Sequence, residues 1–156
     1  MHDVVGMAVK IGYFLSLLFA GLAMAPAFAH LFELLNKIDL PRDQYFTVQQ
    51  IYRGWALLGI VVIGALLSTL ILTVMLRHRR WPFILSLIAF LCIAGTQLIF
   101  WTYTQPANLA TDNWMRIPEN WETLRRQWEY SHATSAVLNF VAFVALLLSL
   151  LVEDSS

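Results

Sequence analysis

The chain has 156 residues, 59% of them hydrophobic and 13% charged, with ten basic against ten acidic side chains and a mean hydropathy of +0.65. A water-soluble domain of this length cannot hide so much apolar surface. The formal net charge of zero supplies no basic field for a nucleic-acid partner, so the partner that composition implies is the lipid bilayer.

A helix needs about 20 residues to cross the roughly 30 Å hydrocarbon core. Residues 11–35, 55–76, 81–103 and 133–152 are apolar enough to do so, and the last three of these stretches contain no formal charge. None shows the polar alternation of barrel strands. The predicted fold is therefore all-α: one domain over residues 1–156, an integral membrane four-helix bundle whose long fourth helix extends into the outer loop region.

In the first span Pro26 predicts a kink, with His30 and Glu33 just beyond it. Lys10, the apolar run from Ile11 and Ala27-Phe28-Ala29 also mimic a cleavable signal that would leave His30 as an N-terminal copper ligand. The apolar pattern continues through Leu31, Phe32, Leu34 and Leu35 and favours a retained span. Residues 36–54 read as a loop, with a turn or helix start at Pro41 and Asp43 placed to cap it. Span two carries Gly54, Gly59 and Gly64, which permit close helix contact. Span three runs from Trp81 and Pro82 to Trp101 and Tyr103, and its Cys92, the lone cysteine, reads as a packing thiol. Gln105-Pro106-Ala107-Asn108 and Thr111-Asp112-Asn113-Trp114 favour turns. Ile117-Pro118-Glu119 reads as the start of a helix over residues 118–151.

Arg77-His78-Arg79-Arg80 fills the very short link between spans two and three. The positive-inside rule puts that link, and with it both termini, in the cytoplasm of a cell membrane, the inner membrane in a bacterium. Arg42, Arg53, Arg116, Arg125 and Arg126 then lie on the outer face beside several acidic neighbours.

The stretch from Trp114 to His132 crowds charge and indole between two apolar runs. Arg125, Glu129, His132, Ala136 and Asn139 fall near one line of the fourth helix, while His30 and Glu33 share a face of the first. Up-and-down topology brings both pairs to the outer end, so His30, Glu33, Glu129 and His132 are candidates for one inward-facing cluster. Gln50, Arg53, Gln97 and Trp101 occupy the same level. Three readings stay open: a hydrogen-bonded ion cluster that locks the helix ends, metal-free acid–base chemistry, or a single iron, copper or zinc ion on those four side chains. A di-iron site would need further glutamates, and spans two and three have none. Intrahelical pairing with Glu122 and Glu129 accounts for much of the charge on Arg125 and Arg126. Interfacial anchoring accounts for Trp55 and Trp81, whereas Trp101, Trp114, Trp121 and Trp128 could wall an aromatic pocket.

Asn113-Trp114, Asn120-Trp121, Leu124-Arg125, Trp128-Glu129 and His132 resemble the signature of the anthrone-oxygenase-like family of small four-span membrane proteins, in which W-x-x-L-R-x-x-W-E-x-x-H corresponds to Trp121 through His132. Ala20-Gly21 and His30 extend the resemblance more weakly. It implies oxygenation of a polycyclic anthrone to an anthraquinone. Ser135 stands where that pattern has a basic residue, which leaves the substrate open.

Together with the polar cluster and its indoles, the resemblance implies an oxidoreductase or oxygenase acting at the outer membrane face on a small hydrophobic aromatic, such as a phenol, an anthrone or a quinol-like molecule. His132, Glu129 and His30 are its candidate catalytic groups. Trp101, Asn113, Trp114, Trp121, Arg125 and Trp128 are candidate substrate contacts. The alternative is a non-enzymatic membrane accessory protein in which the His/Glu cluster is structural, and a homo-oligomer fits either reading. Transport is the weakest reading, since spans two and three offer no polar path.

Overall fold

The structure, a computed structural model, describes residues 2–153 and the side chains from Gly6 onward. Its α-helices are α1 (His2–Lys37), α2 (Arg42–Gln49), α3 (Gly59–Met75), α4 (Arg80–Ile99), α5 (Gln105–Ala110) and α6 (Trp121–Glu153). Two short 3-10 turns, Gln50–Tyr52 and Trp55–Leu58, connect α2 to α3, and a π-helical turn, Phe100–Thr104, joins α4 to α5. Four helical segments are long and apolar enough to cross a membrane: Gly6–Lys37, Trp55–Met75, Arg80–Ala110 and Trp121–Glu153. The protein is an integral membrane four-helix bundle, and its last helix projects beyond the span.

The helices close a ring in chain order, α1 against α3, α3 against α4, α4 against α6 and α6 against α1. Small residues set the spacing. Ala20, Ala65, Ala89, Ala142 and Ala145 are buried among Val9, Leu72, Leu76, Ile93 and Leu146. At Gly64 a Cβ would come within 2.7 Å of the Phe19 ring, so this helix contact requires glycine. Large apolar side chains such as Phe14, Ile60, Leu91 and Leu98 face outward, as lipid contact requires.

At the end bearing the short α3–α4 link, the Tyr13 hydroxyl lies 2.8 Å from Ser149 Oγ, which donates to the Pro82 carbonyl at 2.9 Å. Arg79 pairs with Glu153 at the same end. These contacts tie three helices together where a bundle would otherwise fray.

The opposite, loop-bearing end differs from expectation in its local structure. Within residues 36–54 the helix start expected at Pro41 is present and extends into the eight-residue helix α2, because Pro41 presets the backbone and Tyr45, Phe46 and Gln49 bury one face. Asp43 does not cap this helix; Pro41 holds the N-cap position, and Asp43 pairs with Arg42 at 2.9 Å. The third span does not turn at Gln105 but continues through Ala110, with the π-helical turn preceding Pro106 and the proline seated in the first turn of α5. The last helix begins at Trp121 rather than Pro118; a turn in which the Trp121 N–H donates to the Pro118 carbonyl at 3.2 Å precedes it. Pro26 is carried inside an unbroken α1.

Candidate functional site

Lys37 organises the loop end. It stands seven residues after His30 and four after Glu33, so the three side chains share a face of α1. His30 Nδ1 lies 2.9 Å from Glu33 Oε1, and the Lys37 ammonium donates to the same oxygen at 2.9 Å. Lys37 Nζ also donates to the Tyr52 hydroxyl at 2.7 Å and lies 3.1 Å from Glu129 Oε1. Tyr52 in turn donates to Glu33. His30, Glu33 and Glu129 therefore join one network, and its bridging cation is a lysine.

From Glu129 the network continues into α2. Tyr45 donates to Glu129 Oε1 at 2.8 Å and accepts a hydrogen bond from Gln49. Tyr45 and Glu129 are both fully buried. Burial, reinforced by the Glu129 carboxylate, holds the Tyr45 phenol well above its ordinary pKa. The Tyr52 phenol is raised as well, by burial and then by its hydrogen bond to Glu33.

His132 enters the cluster through its ring. It stacks on His30 with centroids 4.2 Å apart and planes 28° from parallel, and it touches the Trp128 ring at 4.2 Å. It is partly exposed and makes no hydrogen bond to any described residue. Glu129 does not polarise it; the carboxylate is committed to Lys37 and Tyr45. Tyr52, Trp55 and Trp128 surround the His30 ring at centroid distances of 4.6, 5.5 and 5.0 Å. The result is an imidazole pair in an aromatic frame, with one ring oriented by a carboxylate and the other left with free ring nitrogens among the described residues.

The remaining expected contacts separate into two groups. Trp114, Trp121 and Trp128 pack with Tyr45 and Phe46 into a closed cluster. Arg125 covers it, with its guanidinium 4.7 Å from the Trp121 ring and 5.3 Å from the Tyr45 ring, and donates to the Leu40 carbonyl at 2.8 Å. Trp101 is 65% exposed and meets the Phe100 ring, and Asn113 is exposed in a turn, so neither joins the cluster. Gln50 donates to the Trp114 carbonyl at 3.0 Å, while Arg53 stays exposed and Gln97 donates to its neighbour Thr96. Neither Arg125 nor Arg126 forms an ion pair among the described residues.

The placement of Trp114 is built from strained backbone. Asp112, Asn113 and Trp114 have φ of 48°, 53° and 65°. Asp and Asn tolerate this left-handed region, but for Trp it costs about 1–2 kcal/mol. Thr111 Oγ1 accepts the Trp114 N–H at 3.1 Å and holds the turn. The indole then meets Tyr45 at 5.3 Å and Trp128 at 5.8 Å. Trp128 itself is fixed by donation to Asn108 Oδ1 at 2.9 Å.

Among the described residues no group of three His, Cys, Asp or Glu side chains is arranged to hold an ion. The position between Glu33 and Glu129, where a cation would neutralise both, is taken by the Lys37 ammonium.

Sequence reasoning missed Lys37, Tyr45, Gln49, Tyr52 and Asn108. The i, i+3, i+7 spacing of His30, Glu33 and Lys37 was a usable signal. The tyrosines gave none, because residues 36–54 read as loop. Compared with known families and proteins, the chain matches no family model, no curated protein and no solved structure at a significant level.

Proposed function

We propose that the loop-end cluster is an acid–base site for oxidising a small, flat hydrophobic aromatic that reaches it from the bilayer. The observation that carries this reading is the stacked His30–His132 pair inside a frame of Tyr52, Trp55 and Trp128. Rings of this kind favour aromatic ligands, and an imidazole with no hydrogen-bond partner among the described residues leaves a ring nitrogen open to a bound substrate. Glu33 orients His30, while His132 serves as the base. The likeness of residues 121–132 to the anthrone-oxygenase-like signature extends the reading to the reaction. His132 removes a proton from an anthrone methylene, the carbanion reacts with dioxygen, and the CH2 group plus O2 yields the C=O group plus water.

A second reading has its own support. Lys37 is satisfied by Glu33, Tyr52 and Glu129 together, as a lock between helix ends would be. Against a pure lock, Glu129 Oε2, Gln49 Oε1, Arg125 Nε and Trp114 Nε1 are sealed without hydrogen-bond partners among the described residues. Such costs are characteristic of sites kept for function.

Oxygen uptake and anthraquinone formation from anthrone, followed in lipid nanodiscs, test the proposal. The wild type is expected to exceed the uncatalysed rate, and His132→Ala to lose about 10²–10⁴-fold while remaining folded. An unchanged rate in His132→Ala, or a wild type no faster than buffer, overturns it.

A further inference from the structure

On its other side α6 faces α4, away from the histidines. Beside the π-helical turn Phe100–Thr104, a feature that recurs at functional sites, a groove of about 500 Å³ lies between the two helices. Its inner wall is made by Ile99, Tyr103, Tyr130 and Thr134, and its outer end by Thr123 and Arg126. Gln127 Nε2 donates to the Tyr103 carbonyl at 2.7 Å, and Thr104 and Ser131 hydroxyls lie 2.7 Å apart, so both walls are tied together.

The groove has the polarity of an amphiphile. About 20 residues cross the hydrocarbon, and α4 starts at Arg80, so the boundary falls near Ile99. Arg126 therefore lies at headgroup level. Tyr103 and Tyr130, each about half exposed, sit at the interface where such rings are common. Arg126 is exposed and has no ion-pair partner among the described residues, including Glu122 one turn before it. No residue lining the groove is acidic.

We propose that this groove binds one anionic phospholipid of the leaflet at the loop end, its phosphate held by Arg126 and Thr123 and its acyl chains along Ile99, Tyr130 and Thr134. A zwitterionic lipid offers the same phosphate, but its ammonium finds no carboxylate in the groove.

Photoactivatable phosphatidylglycerol and phosphatidylcholine, each added in trace to nanodiscs holding the full chain, provide the test. Phosphatidylglycerol adducts are expected on residues 99–103 and 123–134. Arg126→Gln is expected to lower them about fivefold, the effect of one basic side chain at an anionic surface, and Arg126→Lys to retain most of them. Thr134→Trp, which fills the inner groove but keeps Arg126, is expected to lose them too. Equal labelling by phosphatidylcholine, labelling confined to residues 77–81, or undiminished labelling in Arg126→Gln or Thr134→Trp overturns the proposal.

Discussion

Replacing Lys37 by Met keeps an unbranched side chain of similar length and removes the charge between Glu33 and Glu129. The two carboxylates are not equally affected. Glu33 has a side chain 27% exposed and still meets Tyr52 and His30, so water and neighbours absorb part of its loss. Glu129 is fully buried, retains only the Tyr45 hydroxyl, and has a second oxygen without a partner among the described residues. Removing one member of a buried ion pair in this way costs about 3–5 kcal/mol. Equilibrium unfolding in mixed micelles of mild detergent and SDS measures it. The cost comes from an uncompensated charge rather than lost volume, so Glu129→Gln is expected to relieve it, and the double variant to be more stable than the two single losses summed. A Lys37→Met protein within about 1 kcal/mol of wild type, the worth of an exposed pair, or an additive double variant, refutes the bridging role.

Tyr45 and Tyr52 phenols are held protonated, so their contribution to stability is complete below about pH 10 and is lost as pH rises through their elevated folded values. In an ultraviolet titration, Tyr45→Phe and Tyr52→Phe should leave the curve of the folded protein unchanged and reduce only the step that accompanies unfolding. Gly64→Ala drives a methyl into the Phe19 ring and should cost about 1–3 kcal/mol, whereas Gly59→Ala, with nothing within 4 Å, should cost far less in the same assay. From the basic link we infer a cytoplasmic orientation for both termini: His78→Cys in a Cys92→Ala background should react with an impermeant maleimide only from the cytoplasmic side, and reaction from outside reverses the topology. For the proposed chemistry, Glu33→Gln should lower the rate by about 10² and Glu129→Gln should chiefly lower stability. The opposite assignment would return Glu129 to His132.

The bundle was legible because its determinants are local and repetitive. Apolar length alone marks four spans, and the basic cluster at residues 77–80 marks the tight link between two of them. The loop end was less legible because its elements are short and owe their form to partners elsewhere in the chain. Nothing within residues 42–49 shows that Tyr45 will be buried; that follows from Glu129 on α6 and Trp114 in a left-handed turn. Proline was misleading in both directions. Pro106 suggested a turn and sits within a continuing helix, while Pro118 suggested a helix start and precedes one by three residues. A π-helical turn precedes Pro106 and a turn separates Pro118 from Trp121, and the sequence gives no sign of either.

Helical spacing located the polar cluster but not the division of labour inside it. Residues three apart share a face only loosely, being separated by about 60° around a 3.6-residue helix. On α6 that angle divides Glu129, turned to Lys37 and Tyr45, from His132, turned to His30. On α1 the same spacing leaves His30 and Glu33 in contact at 2.9 Å, because the intervening angle is bridged by the hydrogen bond itself. Lys37 holds both carboxylates, but the one that also reaches a histidine is Glu33, the more exposed of the two. A fully buried carboxylate depends on its cation more than a partly exposed one does, since water can solvate the latter. The two acids therefore differ in what they add around one lysine: Glu129 ties α2 and α1 to the last helix through Tyr45 and Lys37, and Glu33 connects that anchor to the histidine pair.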